Sequence, residues 1–177
     1  MNNADSNFSL NIDINVDEPG WHTHLSNITD LIYDISYNTF NTLNCTKYLR
    51  NIEFSVTLIN NEEIQLLNNT YRHRDKATNV LSFPVQDIDP ENITNLAPHY
   101  LNFILLGDII MALEVINEEA ITQNKTFSSH FSHLLVHGIL HLMGYTHDND
   151  QTAEKMEKLE IAVLSNFGIQ SPYMCNK

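Results

Sequence analysis

Positively charged residues are scarce in this chain, which has 9 Lys and Arg against 22 Asp and Glu and a formal net charge of -13 at pH 7. Proteins that bind free nucleic acid gain much of their affinity by neutralising phosphates, so this charge argues against a general nucleic-acid binder. It does not exclude an enzyme that acts on RNA already held by another particle. The few cations are unevenly placed, because Arg72, Arg74 and Lys76 lie close together in the sequence.

Long apolar segments and cysteines are also rare. No run of about 18 apolar residues occurs, which predicts that no segment spans a membrane. Residues 1–7 have neither the basic start nor the apolar core of a signal peptide, and we therefore expect a cytoplasmic protein. In that compartment the two cysteines, Cys45 and Cys175, are expected to be reduced thiols.

Hydrophobic periodicity covers most of the 177 residues, a length that fits one domain over residues 1–177. Alternating or β-rich segments predict strands at 8–16, 52–59, 80–83 and 103–111. Helical spacing predicts helices at 22–43, 60–71, 113–123, 127–143 and 150–167, and a loop is expected at 86–101. The predicted fold is a single α+β domain, in which five or so helices pack on a mostly mixed sheet of about four strands, with the fourth strand central.

The segment 137–147 carries three histidines that are spaced to hold one metal ion. His137 and His141 are four residues apart, so on a helix their Cβ atoms lie roughly 5–6 Å apart on one face and both imidazoles can reach one Zn²⁺. Gly144 can take the left-handed conformation that ends a helix and reverses the chain, which would bring His147 back as a third ligand. Three protein ligands leave a fourth position for water, the pattern of a catalytic zinc on a C-terminal-half helix and its following turn.

The residue after the first histidine distinguishes this motif from that of zinc peptidases. Those enzymes have the sequence H-E-x-x-H with the glutamate as general base, whereas position 138 is glycine here. Peptide hydrolysis by that mechanism is therefore disfavoured. His130 and His133 precede the motif, but a ligand set built from them would leave Gly144 and His147 unexplained, so we interpret both as packing or surface residues.

Three sequence blocks make the chain resemble a known family. The segment 137–147 resembles the signature of the YbeY family, bacterial endoribonucleases that act as 16S rRNA maturation factors. The second block is N-T-Y-R at 69–72, D-K at 75–76 and T-N-V-L-S-F-P at 78–84, and the third is L-G-D-I at 106–109. Order and spacing match the family from about Ile52 onwards, whereas the first fifty residues match it in layout only. Thr146 is a departure, since the family usually has Asp before the third histidine.

This resemblance implies a zinc-dependent, single-strand-specific endoribonuclease that acts in 16S rRNA 3′-end maturation and ribosome quality control. It implies one Zn²⁺ per chain on His137, His141 and His147, and it assigns the family's catalytic arginine to Arg72. Without the resemblance, Arg72 would be interpreted as a surface ion pair at a helix end. A guanidinium binds phosphoryl oxygens bidentately, and a zinc-bound water has a pKa near 7, so the chemistry does not require a carboxylate at position 138.

Three other residues have two interpretations each. Arg74 and Lys76 fit charges that position phosphates, or they belong to a solvated loop. Asp108 lies inside an apolar strand and needs a partner. It either supports a ligand histidine or accepts backbone N–H groups at a strand end.

A different class of function is a ribosome-assembly factor that binds the small subunit and has a mainly structural metal site. Three ligands rather than four argue against it. The net charge argues for it, because free RNA would be repelled and basic ribosomal proteins attracted. The expected partners are therefore rRNA or other single-stranded RNA and the small ribosomal subunit with its basic proteins.

Overall fold

The computed structural model describes residues 8–93 and 103–173. Its strands are β1 (Ser9–Val16), β2 (Asn51–Ile59), β3 (Val80–Pro84) and β4 (Ile104–Ala112). Its α-helices are α1 (Trp21–His24), α2 (Ile28–Thr42), α3 (Cys45–Tyr48), α4 (Asn61–Arg72), α5 (Leu113–Thr122), α6 (Phe127–Leu142) and α7 (Asp150–Ser165).

The four strands form one mixed sheet in the order β1-β2-β4-β3. Strands β1, β2 and β4 run parallel, and β3 pairs antiparallel with β4 at one edge. Strand β4 therefore has a neighbour on both sides, which confirms the prediction of a mixed four-stranded sheet with this strand central. The α+β class is confirmed with it.

The main core lies between one face of the sheet and helices α2, α6 and α7. Alternate residues of β2 point into it, and Ile52, Phe54 and Val56 are buried there against Ile32 and Ile35 of α2. Burying an apolar side chain of this size stabilises a fold by about 1.5–3 kcal/mol. The other face of the sheet carries α4 over a smaller apolar cluster, Ile59, Ile64, Leu81 and Ala112.

The helix predicted at 22–43 is wrong in detail, because two helices, α1 and α2, occupy this region and α3 follows it. Leu25 has an extended backbone, with φ -135° and ψ 98°, and it ends α1. Asn44 takes the left-handed conformation, with φ 58°, and separates α2 from α3. The apolar spacing continues across the first break because Trp21, Leu25 and Ile28 are all buried in the same core.

The expected loop at 86–101 contains a turn of 3-10 helix at Pro90–Asn92. The Asp89 carboxylate stabilises its start by accepting a hydrogen bond from the N–H of Glu91 at 2.9 Å. Residues 94–101 of the expected loop lie outside the described part of the chain.

Helix α4 carries Arg72 as its last residue, close to the predicted end of the helix. At its start, the Asn60 side chain accepts from the N–H of Glu63 at 3.0 Å, and the Glu63 carboxylate accepts from the N–H of Asn60. In the segment after α4, the carbonyl of Lys76 accepts a hydrogen bond at 2.8 Å from the side-chain amide of Asn68, which lies within the helix. These bonds fix where the basic residues after α4 lie.

Within residues 8–93 and 103–173, no helix has the length and apolar character that crossing a bilayer requires. Cys45 is a buried free thiol, and burial raises its pKa to about 12. Cys175 lies outside the described residues.

Candidate metal centre and adjacent cleft

Helix α6 presents two histidines on one face. Its N-terminus is capped by the hydroxyl of Thr126, which accepts a hydrogen bond from the N–H of Ser129 at 3.1 Å. His137 and His141 are both half-buried, and their Nε2 atoms lie 3.0 Å apart. The helical spacing inferred from the sequence therefore brings two imidazole nitrogens to one point.

The chain reverses at Gly144, as the sequence predicts. Gly144 has φ +84°, and a Cβ at this position would lie 1.9 Å from the backbone oxygen of Ile88, so only glycine fits the turn. The reversal brings the ring of His147 to 5.4 Å from that of His137 and 5.1 Å from that of His141, measured between centroids. The third histidine thus joins the other two.

A hydrogen bond at Nδ1 orients both His137 and His141. His141 donates to the carbonyl of Tyr145 at 3.0 Å, and His137 donates to Oε1 of Glu160 at 2.8 Å. In a neutral imidazole a proton on Nδ1 leaves Nε2 as a lone-pair donor. Burial, together with the neighbouring His137, lowers the pKa of His141 to about 4, so that this imidazole is neutral at pH 7.

Glu160 of α7 is the functional residue that sequence reasoning missed. Its side chain is 0% exposed, and its Oε2 accepts hydrogen bonds from the hydroxyl of Tyr173 and from Nε2 of His133. Burial alone raises the pKa of this carboxyl, but the hydrogen bonds from His133, His137 and Tyr173 outweigh burial and bring the pKa to about 2. Glu160 is therefore a carboxylate at neutral pH, and His137 must be the donor to it.

The sequence does contain a signal for Glu160. The residue lies between Met156 and Val163 on the buried side of α7. A carboxylate on the apolar side of a helix requires a buried partner. The pattern does not identify that partner, because His137 is 23 residues away along the chain.

The donor set fits a single transition-metal ion. Nitrogen atoms of His137, His141 and His147 all lie within 4.8 Å of one another. Two nitrogens bound tetrahedrally to one zinc at about 2.0–2.1 Å are separated by about 3.3–3.4 Å, close to the distance between the two Nε2 atoms of the helix. Because both of these histidines carry their proton on Nδ1, the two facing nitrogens suit a shared cation better than a hydrogen bond.

Gly138 allows α6 to lie close to the sheet. A Cβ at this position would lie 3.2 Å from the side chain of Ile109 and 3.3 Å from Oγ of Ser82. The Ser82 hydroxyl donates to the carbonyl of Gly138 at 3.4 Å. The position of the general-base glutamate in zinc peptidases therefore faces β3 and β4 here, which argues against a peptidase.

A cleft of about 700 Å³ joins the histidines to the basic residues after α4. Its walls include all six of the site residues predicted from the sequence: Arg72, Arg74, Lys76, His137, His141 and His147. Arg72 is exposed, and its Nη2 donates to the carbonyl of Ser82 at 3.3 Å. Arg74 and Lys76 are exposed as well, in a segment that is held to α4 through Asn68.

Asp108 has a partner that neither sequence interpretation anticipated. Its exposed carboxylate accepts a hydrogen bond from the hydroxyl of Ser55 on β2. Ile109, the next residue, faces the core beneath α6, so Asp108 points to the other face of the sheet, away from the histidines. Thr146, the departure from the family pattern, is exposed and lines the cleft.

The two upstream histidines have different environments. His130 is a buried packing residue, as predicted, and its Nε2 lies 2.7 Å from a carboxylate oxygen of Glu119. His133 lies beside the candidate metal centre, since it shares Glu160 with His137. Among the described residues, the three nitrogens that converge nevertheless belong to His137, His141 and His147.

Known proteins resemble this chain in sequence and in fold. The sequence model of one family, described as Endoribonuclease YbeY, matches residues 17–168 and so extends into the region where the sequence showed a likeness in layout only. Endoribonuclease YbeY of Colwellia psychrerythraea strain 34H is 43% identical over 125 residues, which are 71% of this chain and 74% of that protein. The solution structure of TM1509 from Thermotoga maritima matches with a TM-score of 0.55 and 23% identity, covering 93% of this chain and 97% of that one. This last likeness supports the fold.

Proposed function

The chain belongs to the Endoribonuclease YbeY family, and from this premise we propose that it is a zinc-dependent, single-strand-specific endoribonuclease that acts in 16S rRNA 3′-end maturation and ribosome quality control. The observation that carries the proposal is a shared cleft, since three convergent histidines and an exposed arginine line the same walls. The arrangement pairs a site for a cation with a site for a phosphate. A phosphodiester in single-stranded RNA fits both.

One zinc ion per chain would be held by His137, His141 and His147. When bound, zinc lowers the pKa of coordinated water to about 7 and polarises phosphoryl oxygens. The chain prepares the site by holding a proton on Nδ1 of His137, through Glu160, and on Nδ1 of His141, through the carbonyl of Tyr145. Three protein ligands leave the site open to a further ligand, which favours catalysis over a structural role.

Arg72 would stabilise the negative charge that a phosphodiester develops during cleavage. The carbonyl of Ser82 takes one of its five N–H donors and holds the guanidinium beside β3. The remaining donors of the planar group match the oxygens of a phosphoryl group bidentately. Since the bond to Ser82 is already present, little reorganisation is needed when the substrate arrives.

Arg74 and Lys76 would position phosphates of the RNA in the cleft. Both lie on the cleft wall near Arg72, and both are exposed. They contribute positive charge locally in a chain whose net charge is -13. A cluster of three cations is small, so its contribution to RNA affinity is limited to about two or three phosphate contacts.

The small ribosomal subunit and its basic proteins would present the RNA. The acidic surface repels free RNA and attracts basic proteins, which steers the enzyme toward a particle that contains both. This function requires a cytoplasmic location, because small ribosomal subunits are assembled there.

A ribosome-assembly factor with a mainly structural metal is the second candidate function. The net charge of -13 is the observation that favours it. The histidine set argues against it, because a structural zinc site is closed by four protein ligands.

The test is cleavage of a short single-stranded RNA and of small subunits carrying precursor 16S rRNA by highly purified protein. We expect cleavage that stops with a chelator, returns with added zinc, and is lost in His137→Ala. A matched variant, His22→Ala, changes an exposed histidine outside the cleft and should cleave normally. Cleavage that survives both the chelator and His137→Ala would overturn the proposal. Subunit binding without any cleavage would favour the assembly factor.

A further inference from the structure

Residues 166–173, which we call the C-terminal strap, follow α7 and run back toward α6. Gly168, with φ +68°, turns the chain, and the N–H of Ile169 donates to the carbonyl of Leu164 at 3.1 Å. The side chain of Ile169 packs against the main core. Near the far end of the strap, Nζ of Lys125 donates to the carbonyl of Pro172 at 3.4 Å. The strap is therefore attached to the body of the protein at two points.

The strap delivers the hydroxyl of Tyr173 to the buried Glu160. The ring of Tyr173 is 40% exposed and packs edge-on against His133, with centroids 5.6 Å apart and an interplanar angle of 86°. Its hydroxyl donates to Oε2 of Glu160. A partly exposed side chain thus makes a hydrogen bond to a carboxylate that no solvent reaches.

The two oxygens of Glu160 serve three donors. Oε1 accepts from Nδ1 of His137 at 2.8 Å, and Oε2 is shared by Tyr173 and by Nε2 of His133 at 3.3 Å. His133 and His137 are one helical turn apart on α6, so each lies within reach of the same carboxylate. The hydroxyl of Tyr173 also lies 3.3 Å from Nε2 of His133. Together these two groups hold Oε2 while His137 holds Oε1, and this fixes the rotation of the carboxylate group.

We propose that Tyr173 is a positioning residue for the histidine centre: by fixing Glu160, it keeps Nε2 of His137 directed at the metal. The proposal rests on the metal site of the proposed function. Hydrogen-bond partners behind a metal-binding histidine typically change metal affinity by about 10- to 100-fold when they are removed. Glu160 contacts the histidine directly, whereas Tyr173 acts on it through Glu160, so the effect of Tyr173 lies at the lower end of this range.

The experiment compares Tyr173→Phe and Glu160→Gln with wild-type protein. Zinc affinity is measured by competition with a chromophoric chelator, and the tautomer of His137 is measured by imidazole ¹⁵N NMR of the metal-free protein. We expect zinc affinity to fall about 10-fold in Tyr173→Phe and up to about 100-fold in Glu160→Gln. The fraction of His137 protonated at Nδ1 should fall in both variants.

Two further variants separate positioning from general loss of stability. Tyr48→Phe removes a hydroxyl from a similarly exposed tyrosine on α3 and should change neither readout. Lys125→Met releases Pro172 from the body of the protein without touching Glu160, and it should weaken zinc binding in the same direction as Tyr173→Phe. The thermal unfolding midpoint of the metal-free Tyr173→Phe protein should stay close to that of Tyr48→Phe.

Two results would overturn the inference. One is wild-type zinc affinity in Tyr173→Phe, whatever the result for Glu160→Gln, which would leave the proposed function intact. The other is an unchanged His137 tautomer in Tyr173→Phe. If wild-type protein binds no zinc, the proposed function fails, and the tautomer measurement still decides the inference.

Discussion

The guanidinium of Arg72 and the backbone carbonyl of Ser82 are joined by a hydrogen bond of 3.3 Å. The hydroxyl of the same serine donates to the carbonyl of Gly138, next to His137, at 3.4 Å. One residue of the edge strand β3 therefore contacts both the arginine at the end of α4 and the helix that carries the histidines. The distance between Arg72 and the three convergent histidines therefore depends on where this strand lies.

Replacing Arg72 tests its proposed role in charge stabilisation. Arg72→Ala should reduce the cleavage rate by about 10²- to 10³-fold, because a preorganised donor is lost, while zinc content stays unchanged. Arg72→Lys should restore little, since a lysine lacks the planar fork. Rates on a short single-stranded RNA measure the effect. Arg50→Ala removes an exposed arginine outside the cleft and serves as the control, and near-normal cleavage by Arg72→Ala would exclude this arginine from the mechanism.

Removing any one of the three convergent histidines should sharply reduce zinc retention. The wild-type protein should keep about one Zn²⁺ per chain after dialysis, whereas the alanine variants of His137, His141 and His147 should not. Elemental analysis gives the ratio, and His22→Ala is the matched control. Retention should also weaken in acid, because a protonated imidazole cannot bind a metal. Full zinc in the His137→Ala/His141→Ala double variant would contradict the assignment.

Gly144→Ala should destabilise the protein more than Gly168→Ala does. Both glycines have positive φ, which costs about 1–2 kcal/mol for an alanine. Only at Gly144 would the new Cβ also collide with backbone, 1.9 Å from the oxygen of Ile88, whereas nothing lies within 4 Å of a Cβ at Gly168. Free energies of unfolding from urea titrations measure the difference. Equal losses of unfolding free energy in the two variants would show that the backbone at Ile88 shifts easily to make room for the new Cβ.

Acidification should destabilise the fold through His130. Burial lowers the pKa of His130 below 6.5 despite the opposing effect of Glu119, and its Nδ1 is buried without a hydrogen-bond partner among the described residues. Because the folded state takes up this proton at lower pH than the unfolded state, the contribution of the neutral form is complete above pH 6.5 and is lost as the pH falls through the folded-state pKa.

The measurement is the free energy of unfolding between about pH 7.5 and about pH 5. One such group gives a slope of at most about 1.4 kcal/mol per pH unit. His130→Gln keeps an N–H donor for Glu119 but cannot titrate, so its slope should be smaller than that of the wild type. The same slope in both proteins would mean that other groups cause the acid sensitivity.

Naked RNA should bind weakly, and its affinity should depend on salt with a shallow slope. Arg72, Arg74 and Lys76 can neutralise about two or three phosphates, far fewer than a typical nucleic-acid binder does. Sedimentation with small ribosomal subunits should therefore show stronger association than binding to an isolated rRNA 3′ fragment at the same moderate salt. Tight binding of the fragment, with no gain from the subunits, would contradict docking through the acidic surface.

Patterns in the sequence predicted the structural features that depend on residues close to one another along the chain. The first strand follows from alternation, the other strands follow from short β-rich or continuous apolar segments, and the turn at Gly144 follows from the need for positive φ after a helix. The pair His137 and His141 follows from helical spacing. These predictions succeeded because the residues that determine them lie within one or two helical turns, or along one strand.

Features that depend on distant partners could not be predicted in this way. Glu160 and Tyr173 reach the site from α7 and the C-terminal strap, and nothing in their immediate neighbourhood identifies His137 as their target. Asp108 was expected to serve a histidine or backbone amides, whereas its partner is Ser55 on the neighbouring strand. The prediction of a single helix at 22–43 was wrong for a related reason. Apolar residues stay buried at helical spacing across the break at Leu25, so the sequence pattern does not show the break.

The close packing of Gly138 on β3 and β4 limits how this enzyme could change its chemistry. Converting the motif to H-E-x-x-H takes one substitution on paper. In the folded protein that side chain would begin 3.2 Å from Ile109 and 3.3 Å from Ser82, so both of these side chains would have to shift before a glutamate fits between α6 and the sheet. Ser82 donates to the carbonyl of Gly138 and accepts from Arg72, so a glutamate at position 138 would disturb the residue that links the histidine helix to the arginine. One substitution would therefore alter both walls of the cleft at once, and not only the position of the missing base.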